Sequence, residues 1–301
     1  SVMPTSILIF VLLLIISNSA WSKVIRPIDI RSYGCQSPLL KSASALLIAS
    51  SLRSSPALAI SQTPLAPTDI ESDLYNKPFF NFPPAAVLYP TNFLGTWNCN
   101  YTFLNSEFTP QIPFNQLSSD PNIAGFRKYS ILRFPDIGSN ANNVKLQYSK
   151  SASGNIYEDI QYNTISLLPS FFPEGSCAVD KVEYDIDAYP NRLCLFFHDQ
   201  VSNGRIELFT NSRKTLITED KINSMEHYRQ STFRRRTGQR ANQIIVDYAI
   251  VLDMQRTNSQ SFQGVCKILS YLQPQDNLYF ERPNKPVAVF NYAISMEKIV
   301  T

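Results

Sequence analysis

Gly95-Thr96-Trp97-Asn98-Cys99-Asn100-Tyr101-Thr102-Phe103 puts Trp97, Cys99, Tyr101 and Phe103 on one side of an extended chain. Thr96, Asn98, Asn100 and Thr102 fall on the other side. Strict alternation of this kind is the signature of a strand with one apolar face. Lys181 to Ala188 repeats it, with Val182, Tyr184, Ile186 and Ala188 inward and Lys181, Glu183, Asp185 and Asp187 outward. Further strands are expected at Ser130 to Phe134, Val144 to Tyr148, Arg192 to Phe197, Arg205 to Phe209 and Tyr228 to Arg235. Gln243 to Met254, Phe262 to Leu272 and Val287 to Met296 complete the set, with turn signals at Asn203-Gly204 and Thr237-Gly238. Helical spacing is weak except around Ser118 to Arg127 and Lys221 to His227. The expected fold is all-β, an antiparallel barrel of about 8–10 strands over residues 94–301. Residues 60–93 carry six prolines and no sustained periodicity, so they are expected to lie on that body as an extended arm.

Two stretches carry a resemblance. Gly95-x-Trp97 resembles the G-x-W opening of lipocalins and related calycin barrels, in which the Trp plugs one end. Glu226-His227-Tyr228-Arg229-Gln230 is followed by Ser270-Tyr271-Leu272-Gln273-Pro274-Gln275-Asp276 and by Tyr279-Phe280. Asn284-Lys285-Pro286-Val287-Ala288-Val289, Tyr292 and Met296 come after them. Together these look like the C-terminal block of a cyanobacterial and plastid family known only as a domain of unknown function. That resemblance covers roughly residues 90–299 and implies a lumenal, calycin-like (lipocalin-type) barrel. It brings no activity with it. The cysteines and the long loop from Leu104 to Tyr129 depart from the family pattern.

The rest of the sequence speaks mainly to compartment. Of 301 residues, 44% are hydrophobic and 12% aromatic, which excludes a wholly disordered chain. Before residue 60 there are five basic residues (Lys23, Arg26, Arg31, Lys41, Arg53) and one acidic residue, Asp29. Setting them aside leaves 22 basic against 23 acidic residues, so nucleic acid is not an expected partner. Ile7 to Ile16 is ten uninterrupted apolar residues, half a bilayer core as a helix, which fits a signal peptide over 1–20. Residues 21–42 are basic, rich in hydroxyls and nearly acid-free, and a second apolar stretch ends in Ala57-Leu58-Ala59. Residues 1–59 therefore resemble the tripartite leader of thylakoid-lumen proteins in algae with complex, red-derived plastids, with 21–59 as transit peptide and lumenal signal. The alternative is one signal peptide, a pro-segment and secretion. Asn100-Tyr101-Thr102 is a glycosylation sequon that would mark the secreted case.

Candidate chemistry is sparse. There is no G-x-S-x-G, H-E-x-x-H, P-loop or G-x-G-x-x-G motif, and no metal or cofactor is expected. Cys99, Cys177, Cys194 and Cys266 follow the leader and are candidates for disulfides or buried thiols, with pairing left open. Cys194 and His198 share a strand face and have the spacing of a thiol–imidazole pair, against a core Cys beside a strand-end His. Glu158 and Asp159, as strand neighbours, point apart, and Asp185 with Asp187 reads as a solvated face. Arg234, Arg235, Arg236 and Arg240 form the densest cationic cluster, either a patch for an acidic partner or a solvated hairpin. Apolar faces are the positive signal. Trp97, Tyr101, Tyr228, Tyr248, Phe290 and Tyr292 are the expected lining of an interior for one apolar ligand, such as a pigment, quinone or lipid. The expected function is that of a non-enzymatic lumenal binding protein, or an auxiliary factor at photosystem subunits or the thylakoid membrane surface. A lipid- or carotenoid-modifying enzyme of lipocalin shape and a secreted binding protein are the alternatives.

Overall fold

The computed structural model describes residues 70–113, 131–170, 179–197, 203–235, 242–274, 276 and 278–299. The strands are β1 (Gly95–Phe108), β2 (Ala141–Lys150), β3 (Ile156–Glu158), β4 (Val179–Tyr184) and β5 (Arg192–Phe197). β6 (Asn203–Ile217), β7 (Lys221–Arg235), β8 (Asn242–Asn258), β9 (Ser261–Tyr271) and β10 (Pro286–Lys298) follow. One α-helix, α1 (Ile160–Leu167), separates β3 from β4. All ten strands form a single antiparallel sheet in the order β3-β2-β1-β10-β9-β8-β7-β6-β5-β4.

That sheet curls around one core. Trp97, Cys99 and Tyr101 from β1 join Tyr248, Ile250 and Met254 from β8 and Phe290, Tyr292 and Ile294 from β10 in a single buried cluster. Leu193, Leu195 and Val182 from the far edge belong to it too. The expected closed barrel is not formed, because β3 and β4 are not hydrogen-bonded to each other. Helix α1 spans the gap instead. Beyond the end of β3, the β2 backbone donates to helix side chains, Lys145 N to Ser166 Oγ (3.1 Å) and Gln147 N to Asn163 Oδ1 (2.7 Å). From its other side, Gln161 Nε2 donates to the Val182 and Tyr184 carbonyls of β4 (3.4 Å each). Asp159 caps the helix, accepting from Tyr162 N at 3.0 Å. Polar side chains thus satisfy two strand edges that would otherwise lie open.

The two ends of the core are filled differently. At one, Trp97 packs against Phe93 and Phe262 (ring centroids 5.8 and 5.7 Å) and donates Nε1–H to the Phe93 carbonyl at 2.7 Å. Lys298 Nζ sits 5.6 Å over the indole. At the other, residues 131–134 were expected as a strand but form none. Ile131, Leu132 and Phe134 are buried, Leu132 N donates to the Gln230 side chain (2.9 Å), and Phe134 packs on Tyr101 and Tyr292. An apolar run that pairs with side chains plugs the sheet; it does not extend it.

Other expectations are also corrected. Lys221 to His227, read as helical, is the first half of β7. Asn203-Gly204, read as a turn, opens β6. β4 ends at Tyr184, and Asp185 turns the chain by accepting from Asp187 N and Ala188 N, which leaves Ala188 exposed. The segment Ser118 to Arg127, the Thr237-Gly238 turn and the leader lie outside the described residues.

Of the proline-rich arm, residues 70–93 are described; they hold two 3₁₀ turns, Asp73–Tyr75 and Thr91–Phe93, and no strand. Ile70 and Tyr75 cover the outer face of the sheet on Ala249, Leu269, Tyr271 and Val289. Lys77 reaches Asp247, which also accepts two bonds from Arg229 (2.8 Å each). The arm then crosses β6, where Phe82 N donates to Asn211 O (3.0 Å), and meets β3, where Tyr89 N donates to Ile156 O (2.9 Å). Because β6 and β3 stand on opposite flanks of the sheet, residues 83–88 cross its open side.

One glycine is dictated by close approach. A Cβ at Gly264 would overlap the Asp253 carbonyl oxygen and lie 2.7 Å from Met254 Cα, where β9 pairs with β8. Gly264→Ala is expected to cost about 2–3 kcal/mol in urea unfolding, since only a shift of the backbone relieves the overlap. A change below 0.5 kcal/mol would show that β8 and β9 are less tightly apposed.

Candidate functional site

Inside the curl lies a cavity of about 90 Å³ with two chemically distinct walls. Ile222, Ile250, Leu252, Met254, Ile294 and Met296 make the apolar side. Arg133, Glu158, Asn163 and Glu226, with Tyr89, Tyr101, Tyr148 and Tyr228, make the polar one. Strand alternation explains the mixture: Ile222, Ser224, Glu226, Tyr228 and Gln230 all face inward from β7, while His227 and Arg229 face out.

The charges inside are paired. Arg133 Nη2 donates to both oxygens of Glu158 (2.7 and 2.8 Å), and Asn163 Nδ2 adds a third bond at 3.0 Å. Burial pushes the Glu158 carboxyl up, but the Arg133 charge and the bonds from Asn163 and Arg133 outweigh it and hold the group below its ordinary value. Glu226 accepts from Arg213 Nε (2.7 Å) and Nη2 (3.3 Å) and from the Tyr228 hydroxyl. Burial pushes the phenols of Tyr89, Tyr101, Tyr148 and Tyr228 well above their ordinary range, so all four stay neutral. Cys266 lines the same cavity, and burial pushes its thiol up as well. A thiol so held is not a nucleophile.

The residues read from the sequence divide. Tyr101 and Tyr228 line the cavity. Tyr248, stacked on Tyr228 with centroids 5.2 Å apart, stands behind it. Trp97 plugs an end, while Phe290 and Tyr292 pack in the core, where the Tyr292 hydroxyl accepts from Gly138 N (2.7 Å). Cys99, Cys194 and Cys266 are free, buried thiols and form no bridges. Cys194 sits on the opposite face from Leu193 and Leu195 and donates weakly to Glu207 Oε1 (3.8 Å). Arg234 and Arg235 end β7, paired across to Gly204 and Asn203. Cys177, His198, Arg236 and Arg240 lie outside the described residues. Arg133, Glu158, Arg213, Glu226, Tyr89 and Tyr148 were not anticipated. Glu158 ends β3 facing inward while Asp159 caps the helix, so the pair diverges, as expected; it is Glu158 and Glu226 that share a cavity. Extending the β7 alternation back from Tyr228 by two residues identifies Glu226.

His227, on the outer face, is covered by the arm. Its Nδ1 is 3.0 Å from Ser212 Oγ and its Nε2 3.4 Å from the Tyr271 hydroxyl. Burial, then the Lys214 and Lys77 charges, lower its pKa to about 4 from 6.5, against a smaller upward pull from Asp247. Between those values the unfolded chain binds the proton that the folded one refuses. Stability therefore falls as pH drops from 6.5 toward 4, by up to ~1.4 kcal/mol per pH unit. His227→Gln is expected to flatten that part of the stability–pH curve; an unchanged slope would assign it to other groups.

Fold and cavity together define a single curled antiparallel sheet, closed by a helix and enclosing paired charges. The chain belongs to the family described as a domain of unknown function (DUF6816), which matches residues 81–300. No curated protein and no solved structure matches it. Among the described residues no helix is long and apolar enough to cross a membrane, and no cluster of His, Cys, Asp or Glu could hold a metal ion.

Proposed function

We propose that this chain is a non-enzymatic binding protein of the thylakoid lumen of a complex plastid. Its curled sheet takes an apolar-bodied ligand (a pigment, quinone or lipid) at the service of photosystem subunits or the membrane surface. The calycin-like description and the plastid origin belong to this reading; they rest on Gly95-x-Trp97, the C-terminal block and the tripartite leader. The observation that carries it is the mixed lining of the cavity, which combines aliphatic side chains with neutral tyrosines and paired charges. Such a lining suits a ligand with an apolar body and a small hydrogen-bonding end. The pairing supports binding over acid catalysis, because Arg133 keeps Glu158 ionised at neutral pH.

Isotope-labelled isoleucine methyls test the binding claim. Titration with duroquinone or lauric acid is expected to shift Ile217, Ile222, Ile250 and Ile294 and to leave Ile112 and Ile131 in place. No shift, or shifts only at surface methyls, would refute it. N-terminal sequencing of a C-terminally tagged chain in an alga tests the compartment. A terminus near Ile60 inside thylakoids is expected; a terminus near Trp21 in the medium, with glycan on Asn100, would replace it with secretion.

A second reading has one observation in its favour. Glu158, Glu226 and four tyrosines converge on one cavity, as an enzyme acting on a lipid or carotenoid would require. Turnover of such a substrate, lost in Glu226→Gln, would favour it.

A further inference from the structure

A second hollow shares one lining residue with the interior cavity. It holds about 440 Å³ under residues 84–88 and is lined by Pro84, Ala85, Val87, Leu88, Leu216 and Ile217, with Arg213 and Thr215. Ile217 lines both hollows. Arg213 joins them as well, with Nε and Nη2 on the cavity's Glu226 and Nη1 on the Ala85 carbonyl at 2.6 Å. The only direct polar bond from a β6 side chain to residues 84–88 among the described residues is thus one that a ligand oxygen could replace.

Size points the same way. The inner cavity alone has room for a few waters, whereas sites for small organic ligands run to roughly 300–1,000 Å³. The two hollows together fall inside that range. Their chemistry is also complementary. The outer one sets aliphatic side chains (Pro84, Val87 and Ile217) in a surface that is otherwise largely polar, the inner one has aliphatic side chains of its own, and Arg213 bonds toward both.

We propose that the two hollows are one site for a single-chain amphiphile with a carboxylate or carbonyl head, and that residues 84–88 are its lid. The head takes Arg213 Nη1 in place of Ala85 O. The chain lies along Val87 and Ile217. Arg213 keeps its bonds to Glu226, so no buried charge loses its partner when the lid lifts. This rests on the binding reading above and adds to it the ligand class, the residue that receives the head and the way in.

The probe is cis-parinaric acid, a fluorescent fatty acid, displaced by lauric acid or by lauryl alcohol and added to the full chain. Wild type is expected to bind one equivalent. Thr215→Trp, at an exposed position on the inner face of β6 that lines the outer hollow, fills it and is expected to weaken binding at least ~10-fold with the melting midpoint unchanged. Leu104→Trp, an exposed position on β1, is expected to change nothing. Arg213→Lys keeps the charge but not the fork of donors. It is expected to weaken the acid several-fold more than the alcohol, and amide exchange over residues 84–88 should change on binding. Binding that ignores Thr215→Trp and Arg213→Lys while shifting the interior methyls would overturn the shared site and the lid and leave the binding reading standing. A wild type that takes up none of these probes and shows no interior shifts would overturn both.

Discussion

Trp97→Ala should cost about 3–5 kcal/mol and bring the chain close to unfolding. Trp97 is 1% exposed, and its ring lies against Phe93 and Phe262 at the end of the core where β1, β9 and β10 meet. Removal takes away the largest buried ring and orphans the Phe93 carbonyl, which accepts the indole N–H. Trp97→Phe keeps most of the ring but not the donor, so it should cost about 1–3 kcal/mol. Urea unfolding followed by circular dichroism measures both. A cost near zero for Phe would mean that the hydrogen bond is immaterial, and a cost below 1 kcal/mol for Ala would mean that this end is not packed as described.

Glu158→Gln should destabilise by about 3 kcal/mol, because it strands the Arg133 guanidinium in a side chain only 11% exposed. The double change Arg133→Met with Glu158→Leu should recover most of that loss, since a buried pair contributes little net stability beyond what an apolar pair of similar volume supplies. A double variant as unstable as the single would show that the pair does more than neutralise itself. Acid gives an independent view. With its folded pKa held below 4.5, Glu158 contributes stability that is whole above that value and is lost as pH falls through the folded pKa. His227 acts earlier, between pH 6.5 and 4, so the two variants should flatten separate parts of one curve.

The sequence is most legible where the inner face of a strand is apolar. Gly95 to Phe103, Arg192 to Phe197, Gln243 to Met254 and Val287 to Met296 all show alternation because their inward side chains fill the core. Legibility fails around the cavity. Lys221 to His227 does not look like a strand because Ser224 and Glu226 are the inward residues there, and an inward carboxylate breaks the apolar period. Helix α1 has no apolar stripe because Gln161, Asn163 and Ser166 serve strand edges. The run ending at Phe134 is apolar enough for a strand, yet it carries Arg133 to Glu158. Each of these three elements puts residues in or around the polar wall, where local pattern and global fold part company. Closure was not legible either. Whether a ten-stranded sheet meets itself depends on how its edges are satisfied, and here side chains of a polar helix satisfy both.

The proposed binding role requires that this chain, whose interior pairs all its described charges and offers aliphatic side chains, come out of the cell carrying something. The direct test is to purify the chain without denaturant from cells that make it, extract it with organic solvent and weigh what is released by mass spectrometry. The account predicts one lipophilic compound with an oxygen at one end, near one equivalent per chain, and its loss from the Thr215→Trp variant. A chain that yields no such compound, and whose interior isoleucine methyls ignore added quinone and fatty acid, would contradict the account and leave a curled sheet packed only for its own stability.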